Sequence, residues 1–112
     1  MSFVEVCALS DVPQGRALAE EVGGVEVAIV NTAEGVFAIF NECSHAAVEL
    51  SEGEVDGCTI ECYMHGSRFD LRTGQPLELP ATVPVPVYPV RVEEGLIFVD
   101  VDNPLTNTDQ ES

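Results

Sequence analysis

Apolar runs in this chain last only five to eight residues before glycine, proline or a polar turn interrupts them, and none repeats with a helical period over more than two or three turns. That punctuation restricts the chain to short strands joined by tight turns. Phe3 to Cys7 reads as a first strand, and Ser10-Asp11-Val12-Pro13-Gln14-Gly15 as a turn, since proline presets its own φ and glycine accepts positive φ. Ala17 to Val22 and Val25 to Asn31 flank Gly23-Gly24, a two-residue hairpin signal, and Val25, Val27 and Ile29 share one face of the second arm. Val36 to Phe40 is a further strand. Gly53 to Cys62 reads as a hairpin centred on Asp56-Gly57, and Ser67 to Leu71 as a short strand closed by Thr73-Gly74.

Pro76, Pro80, Pro84, Pro86 and Pro89 fall in one stretch, which excludes an interior strand or a helix there. Residues 75–84 are therefore expected to form a stiff loop, and Val85 to Val92 no more than an edge strand. Leu96 to Val99 is the last strand, after a turn at Glu93-Glu94-Gly95. The fold class expected is all-β, built from small antiparallel sheets. A length of 112 residues suits one domain, placed at 1–102, with a polar, flexible tail over 103–112.

Twenty Asp and Glu against four Lys and Arg give a formal net charge of −16. Such a surface repels nucleic acid and anionic lipid, and attracts a basic partner. The N-terminus lacks the basic-then-apolar pattern of a signal peptide, and no apolar run reaches membrane-spanning length. A cytoplasmic protein, expected to be a monomer, follows from this reading. In that compartment four cysteines point to metal or free thiols before disulfides.

The chemistry is concentrated in two short motifs, Cys43-Ser44-His45 and Cys62-Tyr63-Met64-His65, with sixteen residues between His45 and Cys62. They lie in two loops, about 41–50 and 62–70. Two thiols and two imidazoles can hold zinc tetrahedrally, or an iron–sulfur cluster with sulfur on one iron and nitrogen on the other. Because each loop supplies one Cys and one His in the same order, the second arrangement is favoured.

The C-x-H and C-x-x-H pair, continued by Gly66-Ser67-Arg68-Phe69-Asp70, resembles the Rieske [2Fe–2S] proteins, and the likeness spans roughly residues 3–101. The resemblance implies three stacked antiparallel sheets with a cluster-binding subdomain, and Cys43, His45, Cys62 and His65 as the ligands of one cluster. It implies thiolates on the inner iron, imidazoles on the outer one, and the proline-rich loop as a third wall. Within the family the sequence is most similar to the short ferredoxins of bacterial ring-hydroxylating oxygenases. The extra loop cysteines of the respiratory branch are replaced by Val48 and Met64, and the branch's sulfur-bonding tyrosine by Phe69, whereas Ser67 matches. Fewer hydrogen bonds to the sulfurs place the expected potential in the lower half of about −150 to +300 mV. Coordinated imidazoles that lose protons in the oxidised form would make that potential fall with pH.

The implied function is one-electron transfer, without catalysis, from an NAD(P)H-dependent flavoprotein reductase to a terminal non-haem iron oxygenase. A small Rieske-like subunit of an assimilatory nitrite reductase ranks below it, and a structural zinc adaptor lower still. Met64 and Leu50 are expected to pack over the cluster, and Gly66 to admit a close approach of backbone to the sulfides. Cys7 and Cys58 are expected to be buried, reduced thiols acting as small apolar residues.

Overall fold

The computed structural model describes residues 3–42, 49–62, 68–77 and 84–105. Among these residues are ten strands: β1 (Val4–Ala8), β2 (Arg16–Val22), β3 (Val25–Thr32), β4 (Gly35–Phe40), β5 (Val55–Asp56), β6 (Thr59–Glu61), β7 (Arg68–Asp70), β8 (Val87–Tyr88), β9 (Val90–Glu93) and β10 (Leu96–Val99). They form three antiparallel sheets, ordered β1-β10-β9, β2-β3-β4-β8 and β5-β6-β7. Helical structure among the described residues is confined to two 3-10 turns, Leu9–Asp11 and Leu50–Glu52. The fold is thus all-β, as the turn-punctuated sequence requires.

The four-stranded sheet is the middle layer. Val27, Ile29 and Ala38 face one core, shared with Val12, Val22, Tyr88, Ile97 and Val99. Ala28, Val30 and Ile39 face a second core, shared with Leu50, Ile60, Cys62, Phe69, Leu71, Val85 and Val87. β3 is therefore apolar on both faces, because layers cover it on both sides. The expected face of Val25, Val27 and Ile29 lies in the first core. Gly23 and Gly24 turn the β2–β3 hairpin with φ of 57° and 85°, the left-handed geometry that such a two-residue turn demands.

Three readings shift in detail. The second hairpin turns on Gly57-Cys58 rather than Asp56-Gly57, since Asp56 pairs with Thr59; Gly57 takes φ 61° as the first residue of the turn. The edge strand expected over 85–92 is two edges in different sheets, divided at Pro89: β8 beside β4, and β9 beside β10. Its prolines still contribute as acceptors. Pro86 O receives the Phe40 N–H at 3.0 Å and Pro89 O the Asp100 N–H at 3.2 Å. Finally, Cys7 and Cys58 are only partly buried; each is a free thiol packed against the margin of a core.

Of the expected stiff loop, residues 78–83 lie outside the described set, while Pro76 bridges to Phe69. At the other end, Leu105 donates its N–H to Val87 O at 2.6 Å, so the chain stays tied to β8 as far as residue 105. Residues 106–112 of the expected tail lie outside the described residues.

Candidate functional site

Each cysteine–histidine motif is entered from a strand, the first from β4 and the second from β6. The first limb leaves β4 at Phe40 and passes through Asn41 and Glu42; it returns at Glu49, which bridges Glu42. Cys43 and His45 lie between those points, in residues 43–48, outside the described residues. The second limb is β6, which ends at Glu61 and leads directly into Cys62; His65 follows in residues 63–67, also outside them. Ser67, Gly66, Met64 and Val48 are in the same position.

What the structure does place is the foundation of the site. Cys62 is a free, fully buried thiol, enclosed with Leu50, Ile60, Phe69, Leu71 and Val85. Leu50 belongs to the return of the first limb, Phe69 to β7, and Val85 to the proline-rich segment. Three separate pieces of chain therefore wall off one sulfur from water. A buried thiol that opens onto a Cys/His loop suits a thiolate bound to the inner metal of a cluster, because the surrounding apolar shell excludes water and the metal supplies the counter-charge. Leu50 is fully buried in the same core as Cys62.

The limbs are locked together by backbone geometry that sequence reading missed. Asn41 is 1% exposed. Its N–H donates to Glu26 O at 2.9 Å, its carbonyl accepts from Leu50 N–H at 3.3 Å, and its side-chain Oδ1 accepts from Ser51 N–H at 2.8 Å. Its Nδ2 donates to Glu49 Oε1 at 3.4 Å. Gly53 then meets β6 so closely that a Cβ there would overlap the Glu61 carbonyl. The only signal in the sequence was an asparagine just ahead of the Cys43 motif, and nothing there named its partners eight to ten residues away.

Beside the first limb lies a groove of about 440 Å³, lined by Gly24, Val25, Glu26, Phe40, Asn41, Glu42 and Glu49. Glu20 and Glu21 border an adjoining hollow with Glu26 and Glu49. Among the described residues no basic side chain lines either one. Glu21 stands directly opposite Glu26 across the β2–β3 pair, a like-charge placement that destabilises an isolated sheet. Elsewhere Glu34 is paired with Arg72 at 2.8 Å. Among the described residues no three His, Cys, Asp or Glu side chains converge to hold a metal ion. No helix among them is long and apolar enough to cross a membrane.

Two thiols away from the site hold their protons more tightly than an ordinary cysteine. Burial pushes the Cys58 thiol up, against a lowering pull from Arg72. Burial, then the negative charge of Glu20 and Asp11, raises Cys7.

Comparison with known proteins gives a consistent picture. The family model of the Rieske [2Fe–2S] domain matches residues 2–89. The chain is 42% identical over 102 residues to the 3-phenylpropionate/cinnamic acid dioxygenase ferredoxin subunit of Escherichia coli (strain K12), covering 90% of this chain and 95% of that protein. Its fold is similar to the ferredoxin of carbazole 1,9a-dioxygenase from Nocardioides aromaticivorans IC177, with TM-score 0.84 and 40% identity over 88% of this chain and 97% of that one. A chain from a complex of reduced oxygenase and oxidized ferredoxin in carbazole 1,9a-dioxygenase matches with TM-score 0.80 and 38% identity, over 87% of this chain and 91% of that one.

Proposed function

Because this chain belongs to the Rieske [2Fe–2S] family, we propose that it is the electron-carrying ferredoxin of a ring-hydroxylating oxygenase system. It takes one electron from an NAD(P)H-dependent flavoprotein reductase and delivers it to a terminal non-haem iron oxygenase. The observation that carries this reading is its 42% identity to a dioxygenase ferredoxin subunit across nearly the full length of both proteins.

Cys43 and Cys62 would hold one iron of the cluster, and His45 and His65 the other. The bound cluster supplies one-electron redox chemistry. The chain itself shields it: Leu50, Phe69 and Val85 enclose the Cys62 sulfur, which keeps solvent from the inner side. His45 and His65 would hold the side of the cluster opposite this apolar shell, the side available to a partner. The carboxylates of Glu21, Glu26, Glu42 and Glu49 beside the first limb favour a partner with a basic surface, and such a field acts mainly on encounter rate. The carrier works as a monomer in the cytoplasm, where NAD(P)H is supplied and thiols remain reduced.

The test is direct. The purified protein should be brown, give a rhombic EPR signal when reduced, and lose that signal in His45→Ala or His65→Ala. It should mediate NAD(P)H-dependent turnover when combined with a flavoprotein reductase and a ring-hydroxylating oxygenase. A colourless protein with stoichiometric zinc overturns the reading; so does a brown protein that no such reductase can reduce.

A further inference from the structure

We propose that Asn41 is a positioning residue for the cluster. With the turn that follows it in space, residues 50–53, it fixes the separation between the limb entering Cys43 and the limb ending in Cys62. This rests on the family reading of the two limbs and goes beyond it, since Asn41 is not a ligand.

The argument begins with burial. An asparagine that is 1% exposed carries an amide whose desolvation is offset only by its hydrogen bonds. Those bonds all lead to places that matter for the two limbs. The backbone N–H anchors the residue to β3 through Glu26 O. The carbonyl and Oδ1 hold two successive amides, Leu50 and Ser51, on the return of the first limb. The amide Nδ2 reaches Glu49 on the same return. One side chain therefore closes the neck of the segment that contains Cys43 and His45.

The closure continues to the other limb without a gap. Gly53 N–H donates to Leu50 O at 2.9 Å, completing the turn. Gly53 lies flush against the Glu61 carbonyl, where no side chain fits. Glu61 N–H donates to Glu54 O at 2.9 Å, and Cys62 is the next residue. From two residues before Cys43 to one before Cys62 there is thus an unbroken run of hydrogen bonds and backbone contact. A residue that held only the β-layers together would have no reason to spend its three polar contacts on this neck.

Asn41→Ala removes the Ser51 and Glu49 contacts and leaves the backbone ones. We expect altered g-values in the reduced EPR spectrum, a shifted reduction potential, and loss of visible absorbance under a chelator about tenfold faster, the lower end of what supporting contacts to metal ligands cost. Ile97→Ala is the control: Ile97 is buried in the opposite core, so it should lower the melting temperature at least as much while leaving g-values, potential and chelator half-life as in wild type. The double variant Asn41→Asp with Glu49→Gln reverses the donor and acceptor of the side-chain pair and keeps an acceptor for Ser51 N–H. It should restore the wild-type spectrum.

An Asn41→Ala protein that matches wild type in all three readouts, or moves them no further than Ile97→Ala, overturns the assignment. If Asn41→Ala does not fold, the double variant decides: a wild-type spectrum supports the assignment and an altered one defeats it. A wild-type protein without a rhombic signal defeats the family's cluster reading and this inference with it, whereas a normal wild type beside an indifferent Asn41→Ala defeats this inference alone.

Discussion

Phe69 is fully enclosed beside Ile60, its partner across the β6–β7 pair, and shares a core with Cys62. A phenyl ring there offers the sulfurs no donor. Phe69→Tyr adds one hydroxyl at the edge of that core, and a hydroxyl that donates to a ligand sulfur stabilises the reduced cluster, which carries more negative charge. The potential should rise by on the order of 60 mV, which corresponds to roughly 1.4 kcal/mol for one electron and to a hydrogen bond to a charged acceptor. Redox titration checks it; an unchanged potential with a lower melting temperature would mean that the hydroxyl is buried without a partner. At this scale the Cys/His motifs were legible because metal chemistry dictates residue type and spacing. Asn41 was not, because its importance lies in partners at residues 49–51 and 26 that only folding brings near. The burial of Cys7 and Cys58 was overstated because a small apolar thiol fits a core margin as well as its centre.

Among the elements, the glycine at the end of the β7 turn does more than reverse the chain. Gly74 has φ 77° and lies where a Cβ would overlap the Val85 carbonyl, while Val85 N–H donates back to Gly74 O at 2.9 Å. It thereby seats the proline-rich segment against the small sheet. Gly74→Ala must strain the turn and push Val85 away from Cys62, so we expect a loss of roughly 1–3 kcal/mol in denaturant unfolding together with faster bleaching. Retained stability would show that the segment can step aside. Strand identities were readable from short β-branched runs and turn residues, which are local signals. The division of the proline-rich stretch between two sheets was not, since Pro89 marks a break but not which neighbour each half will find. The one-residue shift of the second hairpin has a similar origin: Asp56-Gly57 and Gly57-Cys58 both contain the glycine, and cross-strand packing of Val55 against Ile60 chooses between them.

For the molecule as a whole, a net charge of −16 is the dominant field. Second-order rates of electron transfer to a basic partner should fall as ionic strength rises. Glu26→Lys, which reverses one charge in the groove, should lower that rate several-fold at low salt and flatten its salt dependence, while leaving the potential unchanged; stopped-flow kinetics reads both. Stability should respond to alkali. Cys7, Cys58 and Tyr88 all hold their protons more tightly in the folded chain, chiefly through burial. Raised values mean that their contribution is complete below the ordinary values of 9.0 for the thiols and 10.0 for the phenol, and is lost as pH climbs through the raised ones. Melting temperature should therefore begin to decline near pH 9 and continue to decline beyond 10; a flat profile over that interval would contradict it.

The carbonyls of Pro86 and Pro89, which receive the amides of Phe40 in β4 and of Asp100 just after β10, have a consequence for assembly. A proline can receive a hydrogen bond but has no N–H to give, so this border of the molecule takes up bonds from inside and extends few outward. A stray β-segment from another chain would find little there to zip onto. The same residues that forbid a long strand thus cap sheet growth, guarding a crowded, strand-rich protein against fibre formation.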